Sequence, residues 1–407
     1  MSEAQRPPLT VCTLIESYYP VVGGMETQAR NLAGALNEAG VKVVFVTRRS
    51  SRDTPRHELV DGAPVWRCGP AGSSTRLRWA MCLTCIPLLI AKRKEFDIIF
   101  VPGFRALGLT AVLMGRLLRK PCILKAESSG EMSGGFFGTG LKRAGLNPAG
   151  ALVRTVMRLR NRLLAKATAF VSMSSDMTAE FIAGGVRADL IHLIPQTVNV
   201  ERFSEVDSAT KHQLRERLGL PLESLIVTYT GRLVSYKGVL SLARAWTRIH
   251  AAHPTATLVF VGEGSADVCN CEAELQTLVR DHGLTDCVRF TGAIDHVEEY
   301  LQTSDILAFP TENEAFGISL IEGMACGLAA ISTPIGGIKD ILTDGDNGLI
   351  VEAGHTVQLE DALLRLLGDA ELRAAIGARG VASVHARYTW KIVAGLYVDL
   401  LESCRRA

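Results

Sequence analysis

The chain has 407 residues, more than one ordinary hydrophobic core holds, and at about 100–200 residues per domain it predicts two large domains. Charged residues at 21% and hydrophobic ones at 47% exclude an extensively disordered chain. The longest apolar run, Trp79 to Ala91, is interrupted by Pro87 and falls short of the roughly 20 residues that a membrane-spanning helix needs.

The net charge of +2 hides a division: residues 1–200 carry 26 Lys and Arg against 14 Asp and Glu, whereas residues 201–407 carry 18 against 28. The two halves are therefore expected to face different partners, or each other. "MSEAQRPP" lacks a hydrophobic signal core, so a cytoplasmic protein is expected. Ten irregularly spaced cysteines read as reduced, buried small hydrophobes. Neither the C-x-x-C of Cys82 and Cys85 nor the C-x-C of Cys269 and Cys271 has partners at zinc spacing.

In chain order, "LTVCTLIE" is a strand, "SYYPVVGG" a loop and "METQARNLAGALNEAG" a helix, with Leu32, Ala35 and Leu36 at helical spacing; "VKVVFVT" is a second strand. This β-loop-α-β start, with Gly23 and Gly24 at the loop-to-helix junction, is how a doubly wound sheet opens. Strands follow at "FDIIFV", "CILKA" and "AFVSM", joined by connections long enough for parallel crossovers. Residues 191–221 turn polar and irregular, as a linker does, and a second cycle begins: strand "LIVTYTGRL", helix "SYKGVLSLARAWTRIHAAHP", strand "ATLVFVGEG", helix "EAELQTLVRDHG", strand "VRFTG", helix "VEEYLQTS", strand "DILAFP". The expectation is two tandem Rossmann-like α/β domains facing a cleft, residues 1–200 and 201–385, with a C-terminal helix, 386–407, returning to the first domain.

Within "TENEAFGISLIEGMACG", Glu314 and Glu322 stand eight positions apart. On one helix they would diverge by roughly 80° around the axis, so the unit reads as strand, loop and helix, with Glu314 in the loop. Ser319 and Glu322 have the S-x-x-E spacing of a capping box, which makes Glu322 either a cap or a ligand-facing acid. "TGRLVSYKG" puts Arg232 and Lys237 beyond a strand end and before a helix, where two cations and helix-start amides suit a diphosphate.

Together "VVGGMETQARNLAGAL", "GRLVSYKG", "VGEG", "TENEAFGISLIEGMACG" and "GGIKDILTDGDNGLIV" resemble, in order and across nearly the whole chain, the retaining GT-B glycosyltransferases with an E-x7-E motif (glycosyltransferase family 4, glycosyl transferases group 1). The resemblance implies a GT-B fold with an acceptor-side first domain and a sugar-nucleotide-binding second domain. It implies that Arg232 and Lys237 hold the donor diphosphate, approached by Gly23 and Gly24. Glu314 would bond the sugar hydroxyls with the amides of Phe316, Gly317 and Ile318 beside it, and Glu322 the ribose; the backbone near Gly292 would meet the base. No metal or other cofactor is expected, since the two cations aim at the departing phosphate. One departure stands out. Where the family often has a histidine, this chain has "KAESSGEMSGG": either Glu127 takes that place, with Glu131 a second possibility, or the acceptor chemistry differs.

The alternatives are a nucleotide-sugar epimerase of the same architecture and a non-catalytic sugar-nucleotide-binding subunit. An NADP dehydrogenase using Arg48 and Arg49 lacks G-x-G-x-x-G after its first strand, and a glycosidase would need no nucleotide. No nucleic-acid partner is expected. Between Glu131 and Asp176 there is no acid, while Lys142, Arg143, Arg154, Arg158, Arg160, Arg162 and Lys166 alternate with Leu152, Val153, Val156, Met157, Leu159, Leu163 and Leu164. This reads as a basic amphipathic helix able to lie on an anionic membrane, which favours a peripheral enzyme with a lipid-linked hydroxyl acceptor.

Overall fold

The computed structural model describes residues 8–21, 23–72, 74–137, 147, 150–264 and 267–406. The chain divides into two compact units, Met1–Pro195 with Trp390–Ala407, and Gln196–Thr389.

The first unit holds an eight-stranded sheet of β1 (Thr10–Leu14), β2 (Lys42–Arg48), β3 (His57–Val60), β4 (Ala63–Cys68), β5 (Ile98–Pro102), β6 (Cys122–Lys125), β7 (Ala169–Ser172) and β8 (Ile191–Leu193), ordered β3-β4-β2-β1-β5-β6-β7-β8. The central strands β1, β5, β6 and β7 are buried almost end to end, as strands covered on both faces by helices must be. The order reverses between β1 and β5, which pair in parallel. Such a reversal leaves a crevice beyond the strands' carboxyl ends.

One pair departs from the parallel pattern expected above. β3 and β4 form an antiparallel hairpin, Val60 opposite Ala63, because Asp61 and Gly62 both adopt positive φ, 48° and 78°. Asp-Gly between alternating strands is the two-residue turn that matches strand twist, and it was the available sequence signal for this hairpin.

The helix Trp390–Arg406 returns to the first unit. Val393, Tyr397, Leu400, Leu401 and Cys404 join one core with Leu32, Leu36, Phe45 and Phe100, and Tyr397 meets the Phe100 ring edge-on at 5.8 Å.

The second unit has a six-stranded, all-parallel sheet of β9 (Ile226–Thr230), β10 (Thr257–Val261), β11 (Val288–Phe290), β12 (Ile306–Phe309), β13 (Ala329–Ser332) and β14 (Leu349–Ile350), ordered β11-β10-β9-β12-β13-β14. Counted from β9 this is the 3-2-1-4-5-6 order of a dinucleotide-binding sheet, reversing between β9 and β12. The helix expected to run through "SYKG" is split. Ser235–Lys237 is a single 3-10 turn, Gly238 has φ 70°, and the α-helix begins at Val239.

Leu400 is 3% exposed, so Leu400→Ala should cost about 2–5 kcal/mol. Hydrogen exchange would then show faster opening in peptides of β1, β2 and β5 and unchanged protection in β9 and β12; uniform loosening of both sheets would contradict the division of the core.

Candidate functional site

Two loops at the switch point of the second sheet carry the charged groups. The loop after β9 is supported from below by Tyr229, a buried residue whose hydroxyl donates to the Arg232 carbonyl at 2.8 Å and whose own pKa is pushed up by burial. From there the chain turns through Lys237 to Gly238, where an added Cβ would lie 2.0 Å from the Pro310 carbonyl oxygen. A glycine is therefore required for the loops after β9 and β12 to approach this closely.

That approach joins Lys237 to Glu314. The ammonium donates to Glu314 Oε2 at 2.7 Å and to the Asn313 carbonyl at 3.0 Å, and it lies 5.6 Å from the centre of the Phe309 ring and 5.7 Å from that of Tyr236. Glu314 Oε1 accepts from the Ala315 amide at 2.9 Å and the Phe316 amide at 3.4 Å. Both side chains are mostly buried, at 12% and 17% exposure.

Arg232 behaves differently. Its half-exposed guanidinium pairs with Asp267 at 2.5 Å, and the Tyr236 hydroxyl donates to the same carboxylate at 3.1 Å. The Cys269 amide first, then Tyr236 and Arg232, hold Asp267 below the usual carboxylate range against its slight burial. Sequence reasoning missed Asp267 and Tyr236. Tyr236 lies inside the quoted "SYKG"; Asp267 is 35 positions from Arg232 and gives no local signal.

Glu322 stands apart from the Lys237–Glu314 pair. The helix runs Ile318–Ala325 with Gly317, at φ 112°, as its N-cap and no side-chain cap bond. The capping box is thus corrected: Gly317 turns the chain two residues earlier, Ser319 is already inside the helix, and Glu322 is a mid-helix acid. It keeps a sliver of solvent contact and is otherwise crowded by protein, near Arg202 and Glu298, which pair at 2.6 Å. Burial pushes its carboxyl up to about 8; the Arg202 charge works against this and Glu298 adds to it. Arg202 and Glu298 were also missed, being 96 residues apart.

Phe316 is buried, its ring edge-on to Tyr388 at 5.9 Å, and Gly317 and Ile318 open the helix. Gly292, at φ 68°, follows β11 and its carbonyl accepts from the Gly262 amide at 3.1 Å. Among the described residues no three His, Cys, Asp or Glu side chains cluster as a metal site would, and all ten cysteines are free thiols.

In the first unit, Gly23 caps the helix Gly24–Glu38 with an extended φ of −157°, and a Cβ on Gly24 would face open space. Glu127 follows β6 and pairs with buried Lys125 at 2.8 Å. Glu131 is buried beneath it. Lys142 and Arg143 lie outside the described residues.

A raised carboxyl contributes stability that is present in full below its unfolded pKa and is lost as pH rises through the folded one. Glu322→Gln cannot ionise, so its melting temperature relative to the unmodified protein should climb between about pH 4.5 and about pH 8 and level off above; a difference that stays constant across that range would show that folding does not raise the Glu322 carboxyl.

Residues 210–382 match the family described as Glycosyl transferases group 1, and residues 23–197 match the Glycosyl transferase 4-like domain. The chain is 31% identical over 233 residues to a D-inositol 3-phosphate glycosyltransferase of Acidothermus cellulolyticus, covering 55% of this chain and 51% of that protein. A D-inositol 3-phosphate glycosyltransferase of Stackebrandtia nassauensis is 28% identical over 406 residues, 95% of this chain and 88% of that one. The chain spans about half the length of the first curated relatives it matches. Among solved structures, Anabaena HepE in complex with UDP and glucose superimposes with a TM-score of 0.75 at 18% identity, covering 97% of this chain and all of that one. One family domain falls on each unit, and the chain belongs to the glycosyltransferases that pair a glycosyl transferase 4-like domain with a glycosyl transferases group 1 domain.

Proposed function

We propose that the protein is a retaining, metal-independent glycosyltransferase that moves a sugar from a nucleoside diphosphate sugar to a hydroxyl acceptor. The observation that carries this reading is the pairing of Lys237 with Glu314 at the switch point of the second sheet, with Arg232 on the same loop.

In the reaction proposed, the bond from the anomeric carbon to the β-phosphate oxygen breaks and negative charge gathers on that oxygen. Arg232 and Lys237 meet it with preorganised positive charge. The acceptor hydroxyl attacks the face the diphosphate leaves, its proton passes to the departing phosphate, and no protein nucleophile is used. Glu314 takes the sugar hydroxyls and Glu322 the ribose; Gly23 and Gly24 allow the phosphates close approach; Gly292 meets the base through its backbone. Glu127 stands near the reacting sugar in place of a histidine. The relatives named above are glycosyltransferases, which gives the epimerase alternative no support. A non-catalytic nucleotide-binding subunit would bind the same donors without turning them over.

The test is release of nucleoside diphosphate from a panel of nucleotide sugars, with and without soluble and lipid-linked acceptors. Arg232→Ala and Lys237→Ala should each lower turnover by about 10² or more. Near wild-type release by both variants would remove the pair from the mechanism, and binding without release would favour the non-catalytic reading.

The acceptor is proposed to be lipid-linked and the enzyme to work on an anionic membrane surface. No helix among the described residues is long and apolar enough to cross a membrane. The helix Ala151–Leu164 supports a surface association: Leu152, Val156 and Leu159 are exposed at 72%, 56% and 59% along one face, and Arg154, Arg158 and Arg162, also exposed, form a separate row roughly 130° around the axis. Each basic side chain near an anionic surface adds about 1 kcal/mol of attraction. The protein is expected to sediment with anionic vesicles at low salt, to be released as salt rises, and to lose binding when Arg154, Arg158 and Arg162 become Glu. Protein left in the supernatant at low salt would point to a soluble acceptor.

A further inference from the structure

The loop after β6, residues 126–137, is held from beneath by ionisable side chains in a way that an ordinary surface turn is not. Glu131 is 1% exposed, and its Oε1 accepts from the Glu127 amide at 3.1 Å and from the Ser128 hydroxyl at 3.2 Å. Glu180, from the helix Ser175–Ala183, accepts the amides of Gly130 and Met132 at 2.9 Å and Ser133 at 2.7 Å. Asn161 donates to the Met132 carbonyl at 2.9 Å. Four loop amides thus rest on two carboxylates, one of them fully buried. Burying a carboxylate is expensive, and neutral side chains could bond the same amides at less cost.

Two buried atoms remain without a hydrogen-bond partner beneath this loop: Glu131 Oε2 and Arg160 Nη2. The Arg160 charge acts on both Glu131 and Glu180, and burial lowers its own pKa. Above the cluster, the Glu127 side chain is fixed separately by buried Lys125, which Tyr397 also holds. Lys125 therefore fixes the Glu127 carboxylate, and Glu131 fixes its backbone.

We infer that Glu131 is a positioning residue: through the Glu127 amide it sets where the Glu127 carboxylate stands beside the reacting sugar. The role of Glu127 rests on the function proposed above, whereas the hold of Glu131 on the loop does not. A cluster of this kind has a proton-dependent signature. Burial pushes the Glu131 carboxyl up to about 7; the Glu127 amide and Arg105 pull it down, the Glu127 charge pushes it up, and the Ser128 hydroxyl pulls it down. The charged groups around it are Lys125, Glu127, Arg105, Arg160 and Glu180. With a raised pKa, the proton on Glu131 favours the closed loop below the ordinary carboxylate range, and that contribution is lost as pH rises through about 7.

The experiment is hydrogen exchange at the amides of residues 127–133, across pH and corrected for base-catalysed exchange, together with nucleoside diphosphate release with water as acceptor. In the unmodified protein, protection of this loop should fall between about pH 4.5 and about pH 7 and level off above. Glu131→Ala should speed exchange at Glu127 and Ser128 by about 10-fold, as the loss of one or more hydrogen bonds does. It should lower diphosphate release by at least about 10-fold while affinity for free nucleoside diphosphate is unchanged. Glu131→Gln keeps the Oε1 acceptor, so it should recover most of both and flatten the pH dependence. Unchanged exchange in Glu131→Ala, or a wild-type pH dependence in Glu131→Gln, would overturn the inference. If no nucleotide sugar is turned over while the exchange pattern holds, the proposed function fails and the hold on the loop stands.

Discussion

The second unit depends on how closely two loops approach at its switch point. Lys237 and Glu314 lie on segments 77 residues apart, and their 2.7 Å pair forms because Gly238 admits the Pro310 carbonyl where any side chain would exclude it. Partial burial makes the pair costly to form and more costly to break. Removing one partner leaves an uncompensated charge, a loss of about 3–5 kcal/mol in buried settings, whereas exposed pairs contribute about 0–1 kcal/mol. The Asn313 carbonyl, two aromatic faces and two backbone amides take up the remaining valences, so the charges are fixed in direction before any ligand arrives. Fixed charge is what stabilises a developing anion, because no reorganisation is then needed.

Asp267, Glu322 and Glu131 show how a carboxyl is given different properties by its surroundings. Asp267, near the surface and gripped by an amide, a phenol and a guanidinium, is held below the usual carboxylate range. Glu322 and Glu131, crowded by protein with weaker compensation, are pushed up to about 8 and about 7. The inequality follows from burial, which disfavours the charged form, and from the donors each carboxylate accepts, which favour it.

In the first unit the last helix of the chain closes the core that the first helix opens. Tyr397 touches both Phe100 in β5 and Lys125 at the end of β6, so the segment farthest along the chain supports the loop that carries Glu127. The row of exposed arginines on Ala151–Leu164 faces solvent while Arg160 and Asn161 of the same helix turn inward to that loop.

Local pattern was enough for most strands and for the strand-loop-helix units that place Arg232, Lys237 and Glu314, because apolar period and the glycine and proline stops are properties of neighbouring residues. It failed where one residue's conformation outweighed pattern: Gly317 at positive φ moved a helix start and removed a capping box, and Gly238 split a helix. What no reading of neighbours could supply was which distant groups meet. The partners Asp267 for Arg232, Glu298 for Arg202 and Glu180 for the β6 loop are chosen by the order of strands in the sheets, and contacts across tens of residues leave no trace in local spacing. By itself the sequence determined the elements and the chemistry available at their ends; the tertiary structure decided which charges face each other and how far burial shifts them, since both depend on the protein that surrounds a group and not on its place along the chain.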